Sequence, residues 1–170
     1  AELFVPVLKE HGVEAPFDSD ICRRILQRMK ADGETIRRVG LLVKQHGIEW
    51  KDDRRFLKRR LQRFGVENCR MMLMIRTADL SGQHEKSEEG GLPRWRSQLC
   101  RIEEGIDMIL KEQMCFSRSS LAIDGRDLMA DGVPAGPELG EILEQLLEMV
   151  IEEELPNEKE ALLEKSRQIR

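Results

Sequence analysis

At 170 residues and 19.7 kDa, the chain is long enough to remove roughly 70% of its unfolded surface from water, so it needs no disulfide or structural metal to hold a core. It is 40% hydrophobic and 35% charged, and no apolar run approaches the ~18 residues a spanning helix requires, which excludes a helical membrane span. The net charge of -4 hides an asymmetry: residues 21–80 hold sixteen Lys and Arg against seven Asp and Glu, whereas residues 121–170 hold five against thirteen. Affinity for a polyanion follows local clustering rather than whole-chain pI, which directs attention to the basic stretch.

Cys22, Cys69, Cys100 and Cys115 never fall at Cys-x-x-Cys spacing, which fits neither a zinc ribbon nor a redox pair. They are expected to be reduced core thiols, as in the cytoplasm. No signal-peptide pattern opens the chain, and Ala1 stands where an initiator Met would, so a processed or excised piece is expected.

In chain order, Ile21, Cys22, Ile25, Leu26 and Met29 recur at helical spacing behind Asp18-Ser19-Asp20, and Asp32-Gly33 is expected to close this first helix. Ile36, Val39, Leu42 and Val43 mark a second helix, with Gly47 expected as its left-handed stop. Asp52-Asp53 caps a third over 54–64, whose wheel gathers Phe56, Leu57, Leu61 and Phe64 on one side and Arg55, Lys58, Arg59 and Arg63 on the other. Residues 69–80, with Met71 to Ile75 almost continuously apolar, read as a helix surrounded by others.

Glycines at 82, 90 and 91 and Pro93 make 81–93 a flexible loop. Over 94–114, Trp95, Leu99, Ile102, Ile106 and Ile109 follow a 3.5-residue seam, giving a long connecting helix. A single turn is expected through Met129, and Asp124 and Asp127 there bond their own backbone. Gly136-Pro137 opens another helix with Leu139, Ile142, Leu143, Leu146, Leu147, Val150 and Ile151 inward, and Pro156-Asn157 starts the last, with Asn157 and Glu160 at capping-box spacing. No segment of strand length alternates with period two, so the expected fold is all-α: about seven helices in two packed subdomains joined by a long helix. The divisions drawn are 1–80 (basic), 81–93 (loop), 94–114 (connecting helix) and 115–170 (acidic).

Asp18-x-Asp20 has a spacing that can hold Mg²⁺ in phosphoryl transfer, but with no preceding strand or Gly-Ser loop it reads as a helix cap. His11, His46 and His84 are too dispersed for a triad, and no catalytic residue is assigned. The cationic row Arg55, Lys58, Arg59 and Arg63 suits consecutive phosphates, with solvated charge as its rival reading. The chain has no Tyr, so recognition would be of backbone and shape rather than by base stacking.

Cys115-Phe116-Ser117, Leu121 through Met129 (LAIDGRDLM), Gly136-Pro137-Glu138-Leu139-Gly140 and Leu155-Pro156-Asn157-Glu158, with Ala78-Asp79-Leu80 upstream, resemble bacterial tRNA nucleotidyltransferases, the CCA-adding enzymes. The resemblance runs from about Asp20 to Leu163. It implies a helical body and tail that grip tRNA, while a catalytic head, absent from this chain, adds C, C and A using Mg²⁺, CTP and ATP. It adds Arg126 to the candidate RNA contacts, with a turn-stabilising role as the alternative. Many members also carry an HD-type phosphohydrolase module, and His46 and Asp79 look like two of its metal ligands. Two ligands do not close a catalytic metal site, so no cofactor is assigned to this chain. The expected function is a tRNA-binding module whose partners are tRNA and the head. The alternatives are a degenerate HD-type phosphohydrolase using His46 and Asp79, or a helical interaction domain presenting the 95–114 seam.

Overall fold

The computed structural model describes residues 19–84 and 94–169. Among them are eight α-helices and no strand: α1 (Ser19–Arg28), α2 (Gly33–Gln45), α3 (Arg54–Phe64), α4 (Val66–His84), α5 (Arg94–Lys111), α6 (Gly125–Ala130), α7 (Pro137–Ile151) and α8 (Lys159–Ile169), with a 3-10 turn over Arg118–Ser120. The all-α expectation holds, with one helix more than the seven read from the sequence. Asp18, His11 and residues 85–93 of the expected loop lie outside the described residues, while Ser81–His84 continue α4.

The chain forms two compact units. Of the described residues, the first contains 19–50, 66–84 and 94–100, and the second 51–65 and 101–169. In the first, α1 packs on α2 and α2 on α4, around buried Val43, Trp50, Cys69, Met72, Leu73 and Leu99. α1 ends through Lys30 in a left-handed conformation, φ 55°. Asp32 therefore opens α2 rather than closing α1: its carboxylate accepts the Glu34 and Thr35 N–H groups at 2.9 Å and the Thr35 hydroxyl at 2.6 Å. The Thr35 hydroxyl first, and then these amides, hold that carboxyl below the usual aspartate range. α2 does stop before Gly47, but its cap at His46 stays right-handed. Among the described residues the glycines with positive φ are Gly65 and Gly132. Met74 on α4 is 68% exposed, so this helix is not enclosed on all sides.

The second unit is organised by α7. Ile142, Leu146, Leu147, Val150 and Ile151 are buried with Cys115, Ile123, Leu128, Val133 and Leu162 in one cluster, and α3, α6, α8 and the 3-10 turn all pack on α7. Burial of this stripe is the main stabilising term, since each fully buried Leu or Ile contributes ~1.5–3 kcal/mol over exposure. Leu57, Leu61 and Phe64 of α3 are buried too, and a Cβ on Gly105 of α5 would lie 2.8 Å from Leu57 Cδ1. That apolar face assigns 51–65 to the unit containing α7, whereas sequence order alone placed it in a basic 1–80 block. The boundary between units also falls inside α5, between Cys100 and Arg101. The α5 seam is buried at Leu99, Ile102, Ile106 and Ile109 and so is not offered as an interaction surface.

Local capping chemistry sets the remaining ends. Asp53 accepts the Phe56 N–H at 2.8 Å, and Gly65, φ 76°, donates to Leu61 O at 2.9 Å. Asp124 and Asp127 form a reciprocal capping box on α6. Asn157 corrects the expectation: α8 starts at Lys159, and the Asn157 side chain accepts the Ala122 N–H at 2.9 Å and donates to Ser120 O at 2.8 Å. It clasps a distant loop rather than capping its own helix. Replacing Asn157 by Ala removes both bonds and should lower unfolding free energy by about 1–3 kcal/mol. Leu146→Ala, in the same cluster, should lower it by about 2–5 kcal/mol. Urea unfolding followed by circular dichroism checks both.

Candidate nucleic-acid interface

The cationic row on α3 exists because its 3.6-residue repeat turns Arg55, Lys58, Arg59 and Arg63 away from Leu57, Leu61 and Phe64. The row does not face open solvent alone. The Lys58 side chain is only 7% exposed, and its Nζ lies 3.3 Å from Glu153 Oε1. Arg55 Nε is 3.8 Å and Arg54 Nη1 4.0 Å from the same carboxylate, and Arg59 Nε is 2.5 Å from Glu152 Oε1. The Lys58 ammonium is thus buried beside Glu153 rather than open to solvent.

Glu152, Glu153 and Glu154 follow the C-terminal end of α7, where the helix dipole places negative potential and carboxylates are unfavourable. Four α3 cations offset that field. Glu153 also sits at φ 62°, a left-handed conformation costly for a residue with a Cβ. Motif reading missed these acidic partners of the cationic row. The only sequence signal for them was the concentration of glutamate late in the chain.

Arg63 is exposed and enters none of the ion pairs among the described residues. Its guanidinium stacks on Phe64, 5.3 Å from the ring centroid. It lines a cleft of about 480 Å³ with Arg59, Gln62, Glu144 and Glu148. Glu144 is itself held there by Gln62 at 3.1 Å and Arg118 at 2.7 Å. A cleft of mixed charge offers an approaching phosphate less attraction than the sequence count implies. Arg126 donates its backbone N–H to the Asp124 cap at 2.7 Å, while its side chain is exposed and enters no ion pair among the described residues. It thus serves the turn and leaves a guanidinium available.

His46 and Asp79, the two candidate metal ligands, have other contacts: His46 Nδ1 is 3.2 Å from Val43 O, and Asp79 pairs with Arg76 at 3.4 Å. Among the described residues no group of three His, Cys, Asp or Glu side chains is arranged to hold a metal. Cys69 and Cys115 are buried thiols, but Cys22 is half-buried and Cys100 exposed, so the core-thiol reading applies to two of the four. No helix among the described residues is long and apolar enough to cross a membrane.

Two results test this geometry. Lys58→Glu should cost about 3–5 kcal/mol in denaturant unfolding, since it buries like charge against Glu153, and Lys58→Met should cost clearly less. Asp127 accepts from Lys159 at the start of α8, which lowers its carboxyl pKa, and the same bond raises that of the Lys159 ammonium. The depressed Asp127 stabilises the fold above the ordinary aspartate range and loses that contribution as pH falls through its lowered value. The raised Lys159 acts below the ordinary lysine range and loses its part as pH climbs past it. Thermal unfolding across acid pH should therefore show a flatter acid limb for Asp127→Asn.

Comparison with known proteins accords with this helical frame. A family model described as tRNA nucleotidyltransferase domain 2 matches residues 16–166. The CCA-adding enzyme of Levilactobacillus brevis is similar, 51% identical over 47 residues that make up 28% of this chain and 12% of the relative. No solved structure matches. With the family model covering well over half its length, the chain belongs to the tRNA nucleotidyltransferase domain 2 family.

Proposed function

We propose that this chain is a tRNA-holding helical module of a CCA-adding nucleotidyltransferase, one that presents the tRNA 3′ end to a head segment performing CMP and AMP addition with Mg²⁺, CTP and ATP. The observation that carries this reading is the family match across residues 16–166. The similar CCA-adding enzyme supports it over a short stretch. Orientation is a substantial share of what nucleotidyl transfer needs, because holding the reacting end in place removes translational and rotational freedom from the barrier. The chain's chemistry is then electrostatic: guanidinium groups replace counterions along the phosphate backbone. Arg63 and Arg126, exposed and without carboxylate partners, are available for this at once. Arg55 and Arg59 can join only by leaving Glu153 and Glu152, and Lys58 serves by keeping α3 in place.

The test is equilibrium binding of the full chain to deacylated tRNA over a salt series. The expected result is measurable affinity at low ionic strength, with log K falling linearly as log[salt] rises, by ~0.7–0.9 per phosphate contact. Failure to bind tRNA near 50 mM salt, where electrostatic contacts are strong, would overturn the reading. Phosphodiester hydrolysis dependent on both His46 and Asp79 would favour an HD-type phosphohydrolase instead.

A further inference from the structure

We infer that the α1–α2 hairpin, through Arg23, Arg24, Arg28, Lys30, Arg37 and Lys44, is the principal surface taking the RNA phosphate backbone, ahead of α3. This rests on the proposed tRNA-holding function and assigns the contact to residues outside the row that sequence patterning singled out. The argument is one of charge left over after internal pairing. Described residues of the first unit hold eleven Lys and Arg against six Asp and Glu, while those of the second hold fourteen against nineteen. In the second unit four of the six α3 cations, Arg54, Arg55, Lys58 and Arg59, meet Glu152 and Glu153.

Two of the hairpin's carboxylates, Asp32 and Glu34, are committed to other groups. Asp32 is occupied by the α2 cap and the Thr35 hydroxyl, and Glu34 pairs with Arg38 at 3.1 Å. Arg23, Arg24, Arg28, Lys30, Arg37 and Lys44 are all exposed, and none enters an ion pair among the described residues. Arg37 Nε donates only to Gly33 O at 3.2 Å. At about 100° per residue, Arg23, Arg24 and Arg28 fall within an arc of about 140° on α1, and Arg24 and Arg28 stand one turn apart, about 6 Å along the axis. An unneutralised row of exposed cations at that spacing can contact successive phosphates without first breaking a protein ion pair. The sequence count already found this charge, but it gave no reason to prefer the hairpin over α3, because the neutralising glutamates lie at 152 and 153.

Ile21, Ile25 and Met29 are exposed on the helix face next to this arc, and a basic face beside an apolar one is a pattern that also binds anionic lipid surfaces. The experiment therefore compares two ligands. The intact chain, an Arg23→Gln/Arg24→Gln/Arg28→Gln variant and an Arg55→Gln/Arg59→Gln variant are titrated with tRNA over a salt series. The same proteins are titrated with vesicles containing about a quarter phosphatidylserine. Thermal melting verifies each fold, and Arg24→Gln/Arg28→Gln replaces the triple variant if that one melts early. The expected result is a salt slope lower by about 2–3 and an affinity loss of at least about tenfold for the α1 variant, with little change for the α3 variant. An α1 variant that binds as the intact chain does, beside an α3 variant that does not, overturns this assignment and leaves the tRNA reading standing. An intact chain that ignores tRNA altogether overturns that reading instead. Binding to vesicles as tightly as to tRNA, lost equally in the α1 variant, also overturns the assignment, because the surface would then be a general anion or membrane contact.

Discussion

The pairing of α3 with the end of α7 is the constraint on which the second unit depends. Three successive glutamates close α7 where its dipole is negative, an arrangement that would fray an isolated helix. Four cations of α3 stand opposite, and Lys58 is buried in the contact. Both helices also bury apolar residues, Leu57, Leu61 and Phe64 on α3 and Ile142, Leu146, Leu147, Val150 and Ile151 on α7, and the ion pairs fix which cation meets which carboxylate. Buried ion pairs add little net stability over apolar residues of similar shape, but breaking one leaves an uncompensated charge.

That arrangement changes what a basic helix means. Seven Lys and Arg between 51 and 65 suggest a polyanion-binding face when read along the chain, because charges distant in sequence are invisible to a helical wheel. Folding brings Glu153 to Lys58 across 95 positions, and most of the row is then accounted for internally. Surplus positive charge lies on α1 and α2, where among the described residues only Arg38 meets glutamates, Glu34 and Glu67. A chain with a net charge of only -4 thus separates its signs between two bodies.

Elements set by local periodicity were legible from sequence. The apolar repeats of α2, α3 and α7 and the Asp-rich turn before α6 agree with their observed positions, because capping and amphipathicity act within four residues. Features needing a distant partner were not legible. Asn157 has the right spacing to cap α8, yet it finds better partners in the backbone at Ser120 and Ala122. Asp32 looked like a terminator because the left-handed Lys30, which ends α1, is a residue type that seldom adopts that conformation. The Met-rich run of α4 suggested burial all round, but composition does not show which side of a helix remains uncovered, and Met74 is open to solvent. Within the candidate interface, the residue types were readable and their availability was not.

Glu153 joins two demands that usually act on different residues. Its backbone adopts a conformation that glycine or asparagine takes with less strain, while its carboxylate is held among Arg54, Arg55 and Lys58. The position is thus occupied by an anion despite the steric preference of its own main chain, and the two opposing forces meet in a single peptide unit.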